Sequence, residues 1–304
     1  ASTEPEAVKG AGLVLVCVKS PDTATAGKAI RRHLAPGATV MSLQNGIGNA
    51  EILAEILDRP VLSAVVYVAA ALAGPGHVLH RGRGDLVLGE GPGAQAAAAR
   101  FRAVQVPAEV SPQADSALWT QLTLNCALNA ISALTLRDYG TIATRPEARA
   151  TFSALVEECR AVAAASGVTL PADMLERVMA LTVTMPAQLS STAQDVMAGK
   201  RTEIAQLNGD IARRGAALGV PTPATPPTED AWEPQRTSIS RQWARVQIGA
   251  SVGPKFDRIK ELAQGPDGSI RYVGMRHDTP FVVVGNVIVP PDQVPKPGGA
   301  VIAE

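Results

Sequence analysis

The stretch LVLVCV, residues 13–18, decides the fold that the rest of the sequence indicates. It is an unbroken apolar run rich in β-branched side chains, the pattern of a strand buried on both faces of a parallel sheet. Amphipathic stretches and further strand-like runs follow it in alternation, at 22–34, 39–43, 49–57 and 61–70. Strand and helix alternating at these lengths predict an α/β domain with right-handed crossover connections.

The character of the sequence changes twice after this region. Shorter strands rich in Gly and His follow about Gly74 and predict a hairpin-like edge through Asp85–Gly89, whereas helical periodicity and capping residues dominate from Val110 onward. Beyond Pro223 the chain becomes rich in proline and then strand-like, with PDG and GN turns. The predicted fold is α/β plus all-α. A partial parallel-sheet domain spans 1–110, a helical domain spans 111–226, and a short irregular or β tail spans 227–304.

The bulk composition favours a globular protein with a small-molecule partner. Lys and Arg together number 28, as do Asp and Glu, so no overall basic field recruits nucleic acid or a membrane surface. Cys17, Cys126 and Cys159 lie in apolar sequence without metal-like spacing, which indicates reduced, buried thiols and a cytoplasmic protein. No apolar run reaches about 18 residues, and the N-terminus lacks the order of a secretory signal.

Two polar segments directly follow predicted strands, at the edge where open α/β sheets bind ligands. The first is VKSPD, which contains Lys19, and the second is LQNGIGN, where Gly46 and Gly48 would let a ligand approach the backbone beside Asn45. The alternatives are a solvated lysine in a loop and an ordinary Asn-Gly turn.

A third candidate is a row of amides in WTQLTLNCALNA, residues 119–130. Gln121, Asn125 and Asn129 recur at every fourth position and so share one helix face. Because an unpaired buried amide costs about 1–3 kcal/mol, the row needs either a structural network or a polar ligand. Two other polar pairs accompany it, at 190–191 and 202–203; Glu203 could instead be a partner for a helix dipole. His77 and His80 have no third ligand nearby, so we predict no metal site.

The order of these segments resembles the ketopantoate reductase family, which is also known as 2-dehydropantoate 2-reductase. The resemblance covers about residues 8–226 and rests on VKSPD, LQNGIGN, the W-x-x-L-x-x-N-x-x-x-N pattern, SSTAQDVMAGKRTEI and GVPTP. It implies an N-terminal Rossmann-like domain, a helical C-terminal domain, and NADPH-dependent reduction of ketopantoate to pantoate in the cleft between them. Pantoate leads to pantothenate and coenzyme A. The resemblance also implies a small 2-keto acid partner and allows a homodimer.

The resemblance assigns roles to particular positions. It places Lys19 and Asn45 on the nicotinamide side of the cleft, with Asn45 also near the substrate. It makes Asn125 and Asn129 substrate-binding amides and Ser191 the serine that binds the substrate carboxylate. It gives Glu203 a hydrogen bond to the substrate hydroxyl. Such a lining would hold a 2-keto acid at reacting distance from a hydride donor.

The sequence departs from the family pattern at three places. The family has its general-acid lysine at the position of Gln121, and a neutral amide has no ammonium proton to give. No strand followed by G-x-G-x-x-G opens the chain, so we expect either an N-terminally incomplete copy or a partner that covers the gap. The tail does not match the family, although RIKELAQGPDGSIRYV resembles a blade segment of pyrroloquinoline-quinone sugar dehydrogenase propellers.

Three hypotheses about function follow. The first is an NADP(H)-dependent 2-dehydropantoate 2-reductase whose catalytic residues are Gln121, in the lysine position, and Glu203. The second is a non-catalytic remnant of that fold, and the third is a protein that binds a small carboxylate with its cleft amides. Turnover of NADPH with ketopantoate separates the first from the other two, and ligand-induced stabilisation without NADPH is expected of the third.

Overall fold

The computed structural model describes residues 2–74 and 76–225, and the backbone of four strands between residues 258 and 289. The chain divides into two compact units, Ala1–Trp232 and Glu233–Glu304. The first unit contains both the segment predicted as α/β and the segment predicted as all-α. The finer domain boundaries at residues 110 and 226 stay predictions.

One five-stranded sheet organises the first half of this unit. Its strands in chain order are β1 Leu13–Val16, β2 Thr39–Ser42, β3 Val61–Gly74, β4 His77–Leu88 and β5 Ala108–Val110. They lie side by side in that order. The first three are parallel, β4 runs antiparallel to β3, and β5 runs parallel to β4. The sheet is mainly parallel and packs against helices, so the predicted α/β class is confirmed.

Three helices cover this sheet, α1 Thr23–Ile30, α2 Asn49–Leu57 and α3 Ala94–Ala103. The first two connect the parallel strands, and their core is built from Val14, Val16, Val40, Leu53 and Leu57. The opposite face of the sheet is filled by a second cluster that includes Met41, Leu88 and the alanines of α3. The carboxyl ends of β1 and β2 lie between these layers and open toward the helical half.

The prediction that residues 13–18 are buried on both faces is wrong. Burial alternates along β1, and Leu15 is 42% exposed. Among the described strands β1 pairs with β2 alone, so it lies at an edge and only Val14 and Val16 point into the core. Cys17 follows the same alternation and is exposed, whereas Cys126 and Cys159 are buried as predicted.

β3 and β4 form a hairpin that extends well beyond the ends of their neighbours. It contains the predicted edge segment Asp85–Gly89, and Tyr67 lies opposite Asp85 in its register. The Arg83 guanidinium lies 4.2 Å from the centre of the Tyr67 ring and donates to Asp85 Oδ2 at 2.6 Å. These contacts stabilise the hairpin where it packs against the first helix of the helical half.

The helical half is built from α4 Ala114–Thr135, α5 Tyr139–Ala143, α6 Pro146–Ala165, α7 Met174–Thr184, α8 Ser191–Met197 and α9 Asn208–Leu218. α4 is central and packs against α6, α8 and β3, which explains its nearly continuous burial. Gly167 and Gly219 adopt φ of 80° and 71° after their helices, as helix-ending glycines do. The helical periodicity across 202–218, where Ile204, Leu207, Ile211 and Leu218 share one face, predicts a single helix, but the structure interrupts it: Leu207 has ψ of −94° and α9 begins only after it.

The four strands of the second unit are β6 Arg258–Gln264, β7 Ile270–Arg276, β8 Thr279–Val284 and β9 Val287–Val289. Each pairs antiparallel with the next. Their positions overlap the strand-like stretches predicted in the tail. Across the part of the chain that the structure describes, no helix combines the length and the apolar character needed to cross a bilayer.

Candidate functional site

The loops that follow β1 and β2 meet at the carboxyl edge of the sheet. Lys19 lies three residues beyond β1 and Asn45 three residues beyond β2. The two loops are in contact, because Ser20 Oγ lies 3.3 Å from the Asn45 carbonyl oxygen. Both candidates therefore lie at the edge where open α/β sheets bind ligands.

Two buried amides that the sequence reasoning did not single out hold these loops. Gln44 Nε2 donates to the Val18 carbonyl at 3.0 Å and to Thr23 Oγ1 at 2.7 Å. Asn49 Nδ2 donates to the Asn45 carbonyl at 2.7 Å, and its Oδ1 accepts from Thr23 Oγ1 at 2.8 Å. These hydrogen bonds fix the backbone around Asn45.

Two carboxylates from the helical half close over the end of β1. Glu203, which is 8% exposed, accepts from Ser20 N at 2.8 Å and from Ser20 Oγ at 2.7 Å. Lys19 Nζ lies 2.5 Å from Asp195 Oδ2 and 3.8 Å from Glu203 Oε2. One ammonium thus faces two carboxylates, and the cluster carries an excess of negative charge.

α8 supplies the second of these carboxylates and begins at a polar junction. Ser190 caps the helix by accepting from Ala193 N at 3.0 Å, and its hydroxyl donates to the Asn129 carbonyl at 3.4 Å. Ser191 follows it, is exposed, and lies one helical turn before Asp195 on the same face. The predicted serine and the Lys19–Asp195 pair are therefore close together on one side of α8.

The amide row on α4 does not act as a unit. Gln121 Nε2 donates to the Val66 carbonyl on β3 at 3.2 Å, so this side chain ties α4 to the sheet. Asn129 is 3% exposed and accepts from the Tyr139 hydroxyl at 3.5 Å, while burial raises the pKa of Tyr139 to about 12. Asn125 is half-buried, and its amide has no hydrogen-bond partner within residues 2–225.

Asn45 and Ser191 share this property with Asn125. None of the three side chains has a hydrogen-bond partner among the residues described for the first unit. Asn45 and Asn125 are half-buried, so their amides remain free to pair with water or with a ligand. Each of the three side chains is therefore available to a polar ligand.

Gly46 brings the loop after β2 against the helical half. Its φ is 91°, and a Cβ added there would lie 3.1 Å from the Gln206 carbonyl. Gly48, two residues later, has φ of −87° and no atom closer than 3.8 Å to such a Cβ. Gly46 is therefore the position in this loop at which the backbone requires glycine.

Sequence reasoning missed Asp195, Ser20 and the two buried amides. The signal for Asp195 was available, because it lies in SSTAQD one turn after Ser191. Its partner Lys19 is 176 residues away, and no local pattern shows that these two residues meet. Among the residues searched in the described part of the chain, no group of three or more acidic, His or Cys side chains could hold a metal ion.

The glycine-rich turn after β4, GEGPG at 89–93, lies where β2 and β3 begin, opposite the edge that carries Lys19 and Asn45. A side chain at Gly93 would collide with Thr39 at the start of β2, and one at Gly89 would lie 2.9 Å from Ser63 Oγ. These glycines therefore serve close packing. The two residues that the resemblance places on the nicotinamide side, Lys19 and Asn45, lie at the carboxyl edge, and that role stays a prediction. The described loops at that edge contain no glycine-rich cradle for the phosphates.

A second set of ion pairs joins the two halves away from this edge. Arg214 of α9 bonds Glu51 of α2 through Nη2 at 2.8 Å and Asp210 of its own helix through Nε at 3.0 Å. Arg213 also donates to Asp210 at 3.0 Å. Glu51 is largely exposed, with 65% of its side chain accessible.

Comparison with known proteins agrees with this arrangement. The D-mandelate dehydrogenase ternary structure with NADH and anilino(oxo)acetate has the same fold, with a TM-score of 0.69 at 21% identity, covering 79% of this chain and 80% of that one. A crystal structure of a PanE/ApbA family ketopantoate reductase from Ralstonia eutropha JMP134 has a TM-score of 0.73 at 47% identity, over 80% of each chain. The 2-dehydropantoate 2-reductase of Halobacterium salinarum is 35% identical over 228 residues, 73% of this chain and 75% of that protein.

Two family models match this chain, one over its sheet and one over its helical half. The model described as ketopantoate reductase PanE/ApbA matches residues 1–93, which hold β1 to β4, and the model of the family's C-terminal part matches 113–226, which hold α4 to α9. With both halves matched, and with Lys19, Asn45 and Glu203 meeting at their junction, the chain belongs to the ketopantoate reductase PanE/ApbA family.

Proposed function

We propose that this protein is a 2-dehydropantoate 2-reductase that uses NADPH to reduce ketopantoate to pantoate, a step toward pantothenate and coenzyme A. The observation that carries the proposal is the junction at the carboxyl edge of the sheet. There Lys19 faces Asp195 and Glu203, next to the loop that carries the unpaired amide of Asn45. When bound, NADPH supplies the hydride that reduces the ketone.

The positions of these residues support a separate role for each of them. Lys19 and Asn45 follow parallel strands and suit the nicotinamide side. Asn125 and Ser191, whose side chains have no partner in the described part of the chain, suit the polar groups of a small 2-keto acid. Glu203 suits the substrate hydroxyl through Oε2, since its Oε1 is used by Ser20. Asn129, which the resemblance makes a substrate-binding amide, is buried and accepts from Tyr139, and its backbone carbonyl accepts from Ser190 at the start of α8, so it suits a supporting role.

The direct test is oxidation of NADPH, followed by its absorbance, with ketopantoate as the substrate. Turnover that depends on ketopantoate supports the proposal, and NADH in place of NADPH tests the choice of cofactor. A protein that binds small carboxylates would be stabilised by ketopantoate, measured as the melting temperature without nucleotide, and would oxidise no NADPH. A non-catalytic remnant would show neither response.

Gln121→Lys is expected to raise kcat by roughly ten- to a hundredfold. A positioned general acid contributes about 10²–10⁴-fold, and the neutral Gln121 amide cannot protonate the forming alkoxide. The matched control is Gln113→Lys, which adds the same charge at an exposed position at the start of the same helix. An equal rise in both variants would show that general electrostatics, and not a proton donor at position 121, limits the wild-type rate.

Two further properties are part of the proposal. We expect a homodimer, which light scattering of the purified protein tests, and a cytoplasmic location, which the sequence suggests through its scattered, unpaired cysteines. Cys17, Cys126 and Cys159 are all free thiols in the structure.

A further inference from the structure

We infer that Lys19 gives the proton to the substrate carbonyl oxygen, and that Asp195 is the positioning residue that aims its ammonium; this inference rests on the proposed function. The primary observation is the salt bridge of 2.5 Å between Lys19 Nζ and Asp195 Oδ2, with Glu203 Oε2 at 3.8 Å. Within the described ranges of the chain, no other cation lies within 4.0 Å of either carboxylate.

Reduction of a ketone needs such a donor. The carbonyl carbon gains a C–H bond from the hydride, and the π electron pair moves to the oxygen. Lys19 Nζ then loses a proton as the O–H bond of the new alcohol forms. The neutral amine recovers its proton from water, which reaches it because 46% of the Lys19 side chain is exposed.

The other polar and cationic groups near the junction cannot donate this proton. Gln121 is neutral, and its amide is engaged with the Val66 carbonyl. Lys200 and Arg201 are exposed and form no ion pair within the part of the chain that the structure describes. Lys19 alone combines an ammonium, a place at the end of a parallel strand and a contact with Glu203.

Asp195 is suited to the positioning role. It is buried on α8, whose first turn is fixed by the Ser190 cap, so its carboxylate is more rigid than a loop residue would be. A long lysine side chain loses several rotatable degrees of freedom when it is held in one direction, and a short charged contact maintains that direction. Removing Asp195 should therefore lower kcat more than it raises KM.

The experiment compares Lys19→Met, Lys19→Arg, Asp195→Asn and Lys28→Met, the last being a control at an exposed lysine of α1 outside the site. Steady-state kinetics with NADPH and ketopantoate are combined with calorimetric binding of ketopantoate and with thermal unfolding of each variant. We expect Lys19→Met to lower kcat by about a hundredfold or more and Asp195→Asn by about tenfold. We expect ketopantoate affinity to change little and Lys28→Met to behave as wild type. The melting temperature of Lys19→Met should fall, because Asp195 and Glu203 lose their cation, so kcat is compared at a temperature at which every variant is folded.

A second background separates a proton donor from a merely structural lysine. Lys19→Met should cost at least about tenfold less kcat in Gln121→Lys than in the wild-type chain, because the introduced ammonium then supplies the proton. A structural lysine would lower kcat by the same factor in both backgrounds. Unchanged kcat in Lys19→Met, or equal losses in the two backgrounds, overturns the donor role. Absence of ketopantoate-dependent turnover in the wild-type protein is a different result, because it overturns the proposed function and with it this role.

Discussion

Two sets of ion pairs join the sheet domain to the helical half, and they differ in position and in burial. The junction of Lys19 with Asp195 and Glu203 lies at the end of a parallel strand and includes a nearly buried carboxylate. The pair of Glu51 and Arg214 lies between α2 and α9 with one partner largely exposed. The first set also lies next to the loop of Asn45, whose amide has no partner among the described residues.

The difference shows which feature distinguishes a site from a structural contact. Exposed ion pairs contribute about 0–1 kcal/mol and are screened by salt, so the Glu51 pair needs no ligand to explain it. At the first junction the half-buried amide of Asn45 has no partner among the described residues and is left to pair with water or with a ligand. An unpaired amide at a strand end, more than the ion pairs themselves, indicates where a polar ligand would bind.

The largest effect on stability is expected from removing the buried carboxylate. Glu203→Ala leaves the Ser20 N–H without its acceptor and Lys19 with one carboxylate, so the free energy of unfolding should fall by about 2–4 kcal/mol. Urea denaturation measures this change. Glu203→Gln keeps an acceptor for Ser20 and should lose less than half as much; equal losses would mean that charge, not the hydrogen bond, dominates at this position.

A smaller effect is expected at the loop that carries Asn45. Gly46→Ala forces a side chain into a backbone conformation with φ of 91° and toward the Gln206 carbonyl, and should cost about 1–3 kcal/mol. Weaker binding of ketopantoate, measured by calorimetry, should accompany the loss. Gly48→Ala is the matched control, and a similar cost there would contradict the role given to the Gly46 backbone.

The smallest effect is expected at the outer ion pair. Glu51→Gln should lower the free energy of unfolding by less than about 1 kcal/mol, and that difference should shrink as salt is added. Ketopantoate affinity should not change, because neither residue lies at the carboxyl edge. A loss of affinity as large as that of Gly46→Ala would show that the two contacts are coupled and would remove the distinction drawn between them.

Local sequence patterns predicted where helices and strands lie better than they predicted which residues surround them. The helix at 49–57 has the predicted bounds because its apolar spacing and the preceding glycine are local signals. The prediction that residues 13–18 are buried on both faces was wrong, because burial depends on how many strands flank β1. Equal spacing suggested one role for Gln121, Asn125 and Asn129. In the structure Gln121 donates to the sheet, Asn129 accepts from Tyr139, and Asn125 has no partner within the described residues. Spacing along a helix cannot encode those neighbours.

The contact between Glu203 and Ser20 has a consequence for how this protein can vary over evolutionary time. Glu203 Oε1 accepts from both the amide nitrogen and the hydroxyl of Ser20, so half of the contact belongs to the main chain. Nineteen of the twenty amino acids carry that N–H, and only proline lacks it. The main-chain half of the contact therefore survives any substitution at position 20 that the buried position can accommodate, except proline, whereas a substitution at position 203 changes the acceptor itself.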